Sequence, residues 1–241
     1  MSARALRTSA AQLWQHPWSL LSFSAATCCL HLLGWGLFAS AEQAGSAVLN
    51  TSAHLLGFAL YFGSLIWMVD GFTRAGLCLA AGEEPRREDL FRWHGNSSWQ
   101  LCRGLLLLAG LISLILFSGF GLWSVVVLLL PAVAPLVAGL VLLLAASLGL
   151  SQIFLACWIV AENLGPWAAI QRGGAGFLRR RSQLLGLAGL LLLIALAPMG
   201  LGLVAEVMLE GLGLPVTTVA LVIALPLLAT TVTNSFVNAR R

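Results

Sequence analysis

Apolar residues fall along this chain in runs too long and too uniform for the surface helices or strands of a water-soluble domain. The first covers 18–38 and the second 54–69, with helical continuation toward Ala81. A very long third run covers 104–161. A helix needs about 20 residues to cross the hydrocarbon layer of a bilayer. The long run therefore holds more than one crossing. Pro131 and Pro135 sit near its middle, and proline interrupts helical hydrogen bonding. The run divides into 104–130 and 136–160. Two more runs follow at 184–204 and 216–233, the last with Pro226 as an expected kink. The pattern predicts an all-α, polytopic transmembrane helical bundle of six spans, forming one integral membrane domain over 1–241.

Charge supplies an independent check. With six spans, the N-terminus, the second and fourth connecting segments and the C-terminus share one side. Arg4 and Arg7 fall in the first; Arg74, Arg86, Arg87, Arg92 and Arg103 in or beside the second. Arg172, Arg179, Arg180 and Arg181 fall in the fourth, and Arg240 and Arg241 end the chain. All 13 basic residues then lie together. The opposite segments hold only acids, Glu42, Glu206 and Glu210. Positive charge marks the cytoplasmic side, so both ends are expected in the cytoplasm. An odd number of crossings in 104–161 would put Arg172 to Arg181 outside. Ala39-Ser40-Ala41 has the small-residue form of a signal-peptidase site, but the preceding run exceeds the about 7–15 residues of a signal sequence. An uncleaved first helix is expected, with a cleaved five-span form as the alternative.

The two cytoplasmic connections are the polar segments of useful size. In the first, Gly82-Glu83-Glu84-Pro85 reads as a turn and 86–93 as a short amphipathic helix. Its Leu90, Phe91 and Trp93 are expected to enter the membrane interface while Arg86, Arg87 and Arg92 meet lipid phosphates. In the second, Pro166 suits a first helical turn. Trp167, Ile170 and Phe177 make an apolar face, and Arg179, Arg180 and Arg181 form a basic cluster beside the fifth span. Such clusters attract anionic lipid. Trp14, Trp18, Trp93, Trp99 and Trp167 fall near the expected cytoplasmic boundaries, the usual place for anchoring tryptophan. The connections share an outline, with an acid (Asp70, Glu162), a glycine turn, an aromatic residue and arginines. That outline suggests three hairpin units with short amphipathic cytoplasmic helices.

Composition narrows the class further. Charged residues make up 9% and the mean hydropathy is +0.94, against about 25% charged in soluble domains. The absence of lysine fits a GC-rich, bacterial source. Cys28, Cys29, Cys78, Cys102 and Cys157 form no CxxC pair and read as apolar filler. Metalloprotease, nucleophile-elbow, P-loop and dinucleotide-binding motifs are missing, and no cofactor is expected. His31 and His54 could bind haem or metal across neighbouring helices, but interhelical hydrogen bonding is the favoured reading. Asp70 and Arg74, spaced i,i+4, can pair on one helix face. Glu162 can meet Arg172 or Arg179. Ser113, Ser118, Ser147, Ser151 and Gln152 read as helix–helix contacts. Asn50-Thr51-Ser52 and Asn96-Ser97-Ser98 match the glycosylation pattern by chance.

The stretches Gly71-Phe72-Thr73-Arg74, Gly82-Glu83-Glu84-Pro85 and Asp89-Leu90-Phe91 resemble the first cytoplasmic connection of a broad group of bacterial six-helix membrane proteins. The run Val160-Ala161-Glu162-Asn163-Leu164-Gly165-Pro166-Trp167-Ala168-Ala169-Ile170-Gln171-Arg172 resembles that group's second. The group includes the membrane domain attached to some glycerophosphoryl diester phosphodiesterases, and free-standing relatives of unknown function. The resemblance implies the six-helix fold. It does not imply the phosphodiesterase reaction, which belongs to a separate soluble barrel for which this chain has no room. Where the group usually carries a serine after the basic residue of the second connection, this chain has Gly173 and Gly174.

These readings lead to a non-enzymatic membrane protein that acts by binding. An accessory, assembly or scaffold role is expected, with anionic lipid headgroups and a larger membrane complex or a second copy of the chain as partners, and no nucleic acid. A transporter or channel component for a small solute or lipid is the alternative, favoured by the suggested repeats and by Pro131, Pro135, Pro198 and Pro226. A lipid-modifying enzyme would need Asp70, Glu162 and His94 brought together. The expected location is the cytoplasmic membrane of a bacterium.

Overall fold

The computed structural model describes residues 2–41 and 46–240; Glu42 and Arg241 lie outside the described residues. Among the described residues there are helices and no strand. In chain order they are α1 (Ser2–Gln15), α2 (Pro17–Ala41), α3 (Ala47–Ala81), α4 (Arg87–Phe91), α5 (Gly95–Leu129), α6 (Ala134–Ser151), α7 (Leu155–Glu162), α8 (Pro166–Met208) and α9 (Gly213–Arg240). Six stretches are long and apolar enough to cross a membrane: α2, α3, α5, α6 with α7, α8 and α9. Leu106, Phe117, Phe120 and Leu128 of α5 are all exposed, as suits side chains whose solvent is lipid. Contacts gather the chain into two units, Met1–Ser98 with Gly189–Arg241, and Trp99–Ala188.

In the first unit α2 and α3 run antiparallel at close range. A Cβ on Gly34 would lie 2.6 Å from Tyr61 N and 3.0 Å from Gly57 O, and one on Gly57 would lie 2.9 Å from Gly34 O. Backbone touches backbone here, which only glycine permits, and in lipid such close packing replaces the hydrophobic drive to associate. Toward the other end of the pair, Phe23 is fully buried. Its ring meets Trp67 at 5.2 Å, Phe72 at 5.1 Å and Phe91 at 5.4 Å, all edge-on. Each such pair adds about 0.5–1.5 kcal/mol beyond burial. Leu20, Ala75, Leu79 and Leu90 complete this core.

The placement of Leu90 and Phe91 corrects the sequence expectation. They were to enter lipid; Leu90 is instead buried in the Phe23 core and Phe91 packs on it. The physical reason is the left-handed cap at Gly82 (φ +83), which ends α3 and turns α4 back over the α2–α3 pair. Trp93 alone of the three remains 53% exposed.

α9 joins the same unit through polar contacts. Asn234 Nδ2 donates to Ser9 Oγ (2.9 Å) and Gln12 Oε1 (2.8 Å), while Gln12 Nε2 donates to Leu79 O (3.0 Å). The amide of Gln12 thus gives a second donor to a carbonyl in the last turn of α3, which also accepts from Gly82 N at 3.1 Å. Thr230, Thr231 and Thr233 are buried and donate to carbonyls of their own helix, so α9 can bury hydroxyls without loss. Gly76 of α3 leaves the space that the Thr233 side chain fills. α9 continues as helix through Pro226. At its start, Glu206 Oε1 accepts from Gly211 N (3.1 Å) and Oε2 from Gly213 N (2.7 Å), capping open N–H groups.

The second unit holds one departure from expectation. The stretch 136–160 is not one helix, since α6 and α7 are separated by a turn at 152–154. Gln152 N bonds Gly149 O at 3.1 Å and Leu155 N bonds Gln152 O at 2.9 Å, the tighter i→i−3 pattern. The turn lets the buried Gln152 amide reach Ile170 O at 3.2 Å and Ser151 Oγ at 2.7 Å. Gly173 makes room: a Cβ there would lie 2.7 Å from Gln152 Oε1 and from Ser151 O. The helix expected after Pro166 and the fifth span are separate, as expected: non-helical backbone at Arg180 (φ −132, ψ 28) breaks α8 into two helices there. The break between α5 and α6 does fall at 130–133, beside Pro131 and Pro135.

Candidate functional site

Asp70 lies in the last third of α3 and is 1% exposed. One turn on, Arg74 projects along the same face, and its Nε is 3.4 Å from both carboxylate oxygens. Two serines from the first turn of α5 complete the cluster. Ser97 Oγ donates to Asp70 Oδ2 at 3.1 Å, with the His94 carbonyl as its other acceptor at 3.1 Å, and Ser98 Oγ donates to Oδ2 at 3.3 Å. Arg74 Nη2 in turn donates to Ser97 Oγ at 2.6 Å. Oδ1 has no hydrogen bond of its own. Burying a carboxylate is costly unless charge and hydrogen bonds compensate it. Here they come from one guanidinium and two hydroxyls, and the result is an arginine held in a fixed orientation.

That arginine faces a half-open basin of about 280 Å³ between the end of α3, the 82–86 connection and α4. Cys78, Glu83, Glu84, Arg86 and Asp89 share its walls with Arg74. Glu84 bonds His16 Nδ1 at 3.1 Å. The side chains of Glu83, Arg86 and Asp89 are exposed and, among the described residues, take part in no hydrogen bond or ion pair.

Among the other residues expected to bind lipid or a partner, Arg87 is exposed with its guanidinium 5.6 Å over the Phe91 ring. Arg92 caps the end of α4 and is exposed, and Trp93 follows it. These three are not among the basin walls. Arg179, Arg180 and Arg181 are exposed on α8. Glu162 and Arg172 pair at 3.0 Å, and the Arg172 guanidinium lies 5.4 Å over the Trp158 ring. Each of the two polar connections therefore begins with an acid joined to an arginine. Trp14, Trp18, Trp93, Trp99 and Trp167 are all more than half exposed.

A second cavity, about 230 Å³, lies between α2, α3 and α9. Its walls are mainly apolar, with Leu65, Met68, Leu221 and Leu225. Thr27, His31 and Ser64 supply a polar corner. His31 Nδ1 is 3.3 Å from both Ser64 Oγ and Tyr61 O. His54, by contrast, bonds the Asn50 carbonyl of its own helix at 3.0 Å. Each histidine is thus occupied with a different neighbour. Among the described residues, no three of His, Cys, Asp and Glu gather as metal ligands would.

Sequence reasoning found Asp70 and Arg74 through their spacing. It missed Ser97 and Ser98, read only as part of a chance glycosylation pattern, and it missed Glu83 and Asp89 as residues that line one basin with Arg74. Two adjacent serines opening an apolar helix were a signal available in principle, because a span needs no hydroxyls at its start unless something buried there uses them. Comparison with known proteins finds no matching family model, no matching curated protein and no matching solved structure.

Proposed function

We propose that this chain is a multi-pass protein of a bacterial cytoplasmic membrane, with six spans, both ends in the cytoplasm and three hairpin units. It acts by binding rather than by catalysis, as an accessory, assembly or scaffold component. Its cytoplasmic face holds anionic lipid headgroups and a protein partner. The observation that carries the reading is the exposed arginines of each unit, Arg86, Arg87 and Arg92 with exposed Trp93 in the first, and Arg179, Arg180 and Arg181 with exposed Trp167 in the second. Each arginine near an anionic surface contributes about 1 kcal/mol of attraction. Amphipathic tryptophans prefer the interface. The likeness to the six-helix membrane family supports the same reading.

The test is extraction from native membrane into nanodiscs, followed by mass spectrometry of everything retained. A stoichiometric protein partner, or retained anionic lipid that is lost when Arg179, Arg180 and Arg181 are changed to Gln, supports the reading. Recovery with neither refutes it. A second reading, passage of a small solute, has one observation in its favour, the cavity beside His31. On that reading Cys28, which lines the cavity, is labelled by a water-soluble maleimide and protected by the solute. A Cys28 unreactive in every condition counts against it.

A further inference from the structure

The geometry points to the basin at the end of α3 as a site for a phosphate group bearing a primary ammonium a few bonds away, the head chemistry of phosphatidylethanolamine. This deepens the lipid-binding reading above and rests on it.

Three observations converge. First, Arg74 is oriented before any ligand arrives. The buried Asp70, Ser97 and Ser98 hold its Nε and one Nη2 N–H. A guanidinium has five N–H donors in a fixed fork, so donors remain for a phosphate at the basin wall. Supporting a contact residue with buried hydrogen bonds is how proteins fix binding geometry. Packing needs no carboxylate at this position, and orientation of Arg74 accounts for one.

Second, the other charges in the basin are of both signs, and all but Glu84, which pairs with His16, are uncommitted. Arg86, Glu83 and Asp89 all line the basin without pairing among themselves. A simple anion would be drawn to Arg74 and Arg86 but repelled by Glu83 and Asp89. A simple cation meets the reverse. A zwitterion satisfies both sets, with its phosphate toward the arginines and its ammonium toward the carboxylates. A primary ammonium donates three hydrogen bonds; a quaternary choline donates none.

Third, the size fits. The basin's 280 Å³ stands near the lower end of small-molecule sites, and its openness leaves room for acyl chains to exit. Ala75, Pro85 and Leu90 supply the apolar part of the wall.

The test uses the full chain in nanodiscs holding equal amounts of phosphatidylethanolamine, phosphatidylcholine and phosphatidylglycerol, with retained lipids counted by native mass spectrometry. Phosphatidylethanolamine is expected about tenfold over phosphatidylcholine, the equivalent of one well-placed charged contact. Glu83→Gln with Asp89→Asn, both exposed and therefore harmless to folding, is expected to bring that ratio to about one without lowering phosphatidylglycerol retention, since the variant removes only repulsion of an anion. A parallel measurement adds O-phosphoethanolamine to protein in discs of phosphatidylcholine and phosphatidylglycerol. Enrichment of the aminophospholipid assigns the site to lipid. Binding of O-phosphoethanolamine without enrichment assigns it to a free zwitterion of the same chemistry. Absence of both, or a preference unchanged in the double variant, overturns the proposal. If phosphatidylglycerol is still retained in that case, only this site falls; if no lipid is retained, the lipid-binding reading falls with it.

Discussion

Replacing Asp70 by Ala removes the acceptor at the centre of the α3–α5 cluster. Three donors lose a partner: Arg74 Nε at 3.4 Å, Ser97 Oγ at 3.1 Å and Ser98 Oγ at 3.3 Å. Hydrogen bonds to a charged group contribute about 1.5–3 kcal/mol each when fully buried. Two facts reduce the sum. The Arg74 side chain is 33% exposed, so water recovers part of its solvation. Ser97 also keeps the His94 carbonyl at 3.1 Å. Ser98, 1% exposed, has no such alternative. The net loss for D70A is therefore about 2–3 kcal/mol. Asp70→Asn retains the shape and one acceptor and is expected to lose about half as much. Reversible unfolding in mixed micelles, followed by tryptophan fluorescence, measures both. The decisive comparison is the cycle with R74A and D70A/R74A. A coupling of about 1 kcal/mol is expected for a pair with one partly exposed member. Coupling under about 0.3 kcal/mol would mean that Asp70 does not hold Arg74, and the orientation argument for the basin would fail.

Gly34→Leu forces α2 off the Tyr61 backbone and is expected to cost about 1–3 kcal/mol, whereas Gly36→Ala, whose Cβ meets nothing within 4 Å, should not destabilise; equal losses would discount the crossing. Gly173→Ser is expected to displace the Gln152 amide from Ile170 O and lower the melting temperature, while Gly174→Ser, with open space at its Cβ, leaves it unchanged. Asn234→Ala strands Ser9 and Gln12 and is expected to cost about 1–3 kcal/mol. Hydrogen exchange in 4–15 should rise with it, and unaltered protection there would show that α1 docks by other contacts.

Local properties of the chain were legible without coordinates. Hydropathy over about 20 residues marks a span because bilayer thickness sets the length, and the six apolar stretches fall where the runs do. Pro131 follows the end of α5 because proline lacks the N–H that the next turn needs, and Pro135 stands in the first turn of α6, where that N–H is not missed. Gly82 closed α3 because a left-handed cap favours glycine. The spacing of Asp70 and Arg74 brought them together because four residues make about one turn. What the sequence could not supply is what packs across helices. Ser98 meets Asp70 from 28 positions away only because α3 and the first turn of α5 come side by side. Leu90 and Phe91 have the composition of interfacial residues, and lipid and the Phe23 ring are equally apolar to them; the path of the turn after Gly82 decided between the two. The break at Gln152 has no proline or glycine to announce it and depends on an acceptor on α8, Ile170 O, with Gly173 leaving the space. The meeting of Glu83, Arg86 and Asp89 around Arg74 likewise follows from how α4 folds back. A charge pattern fixes which residues are polar, and only the crossing of helices fixes which of them share a site.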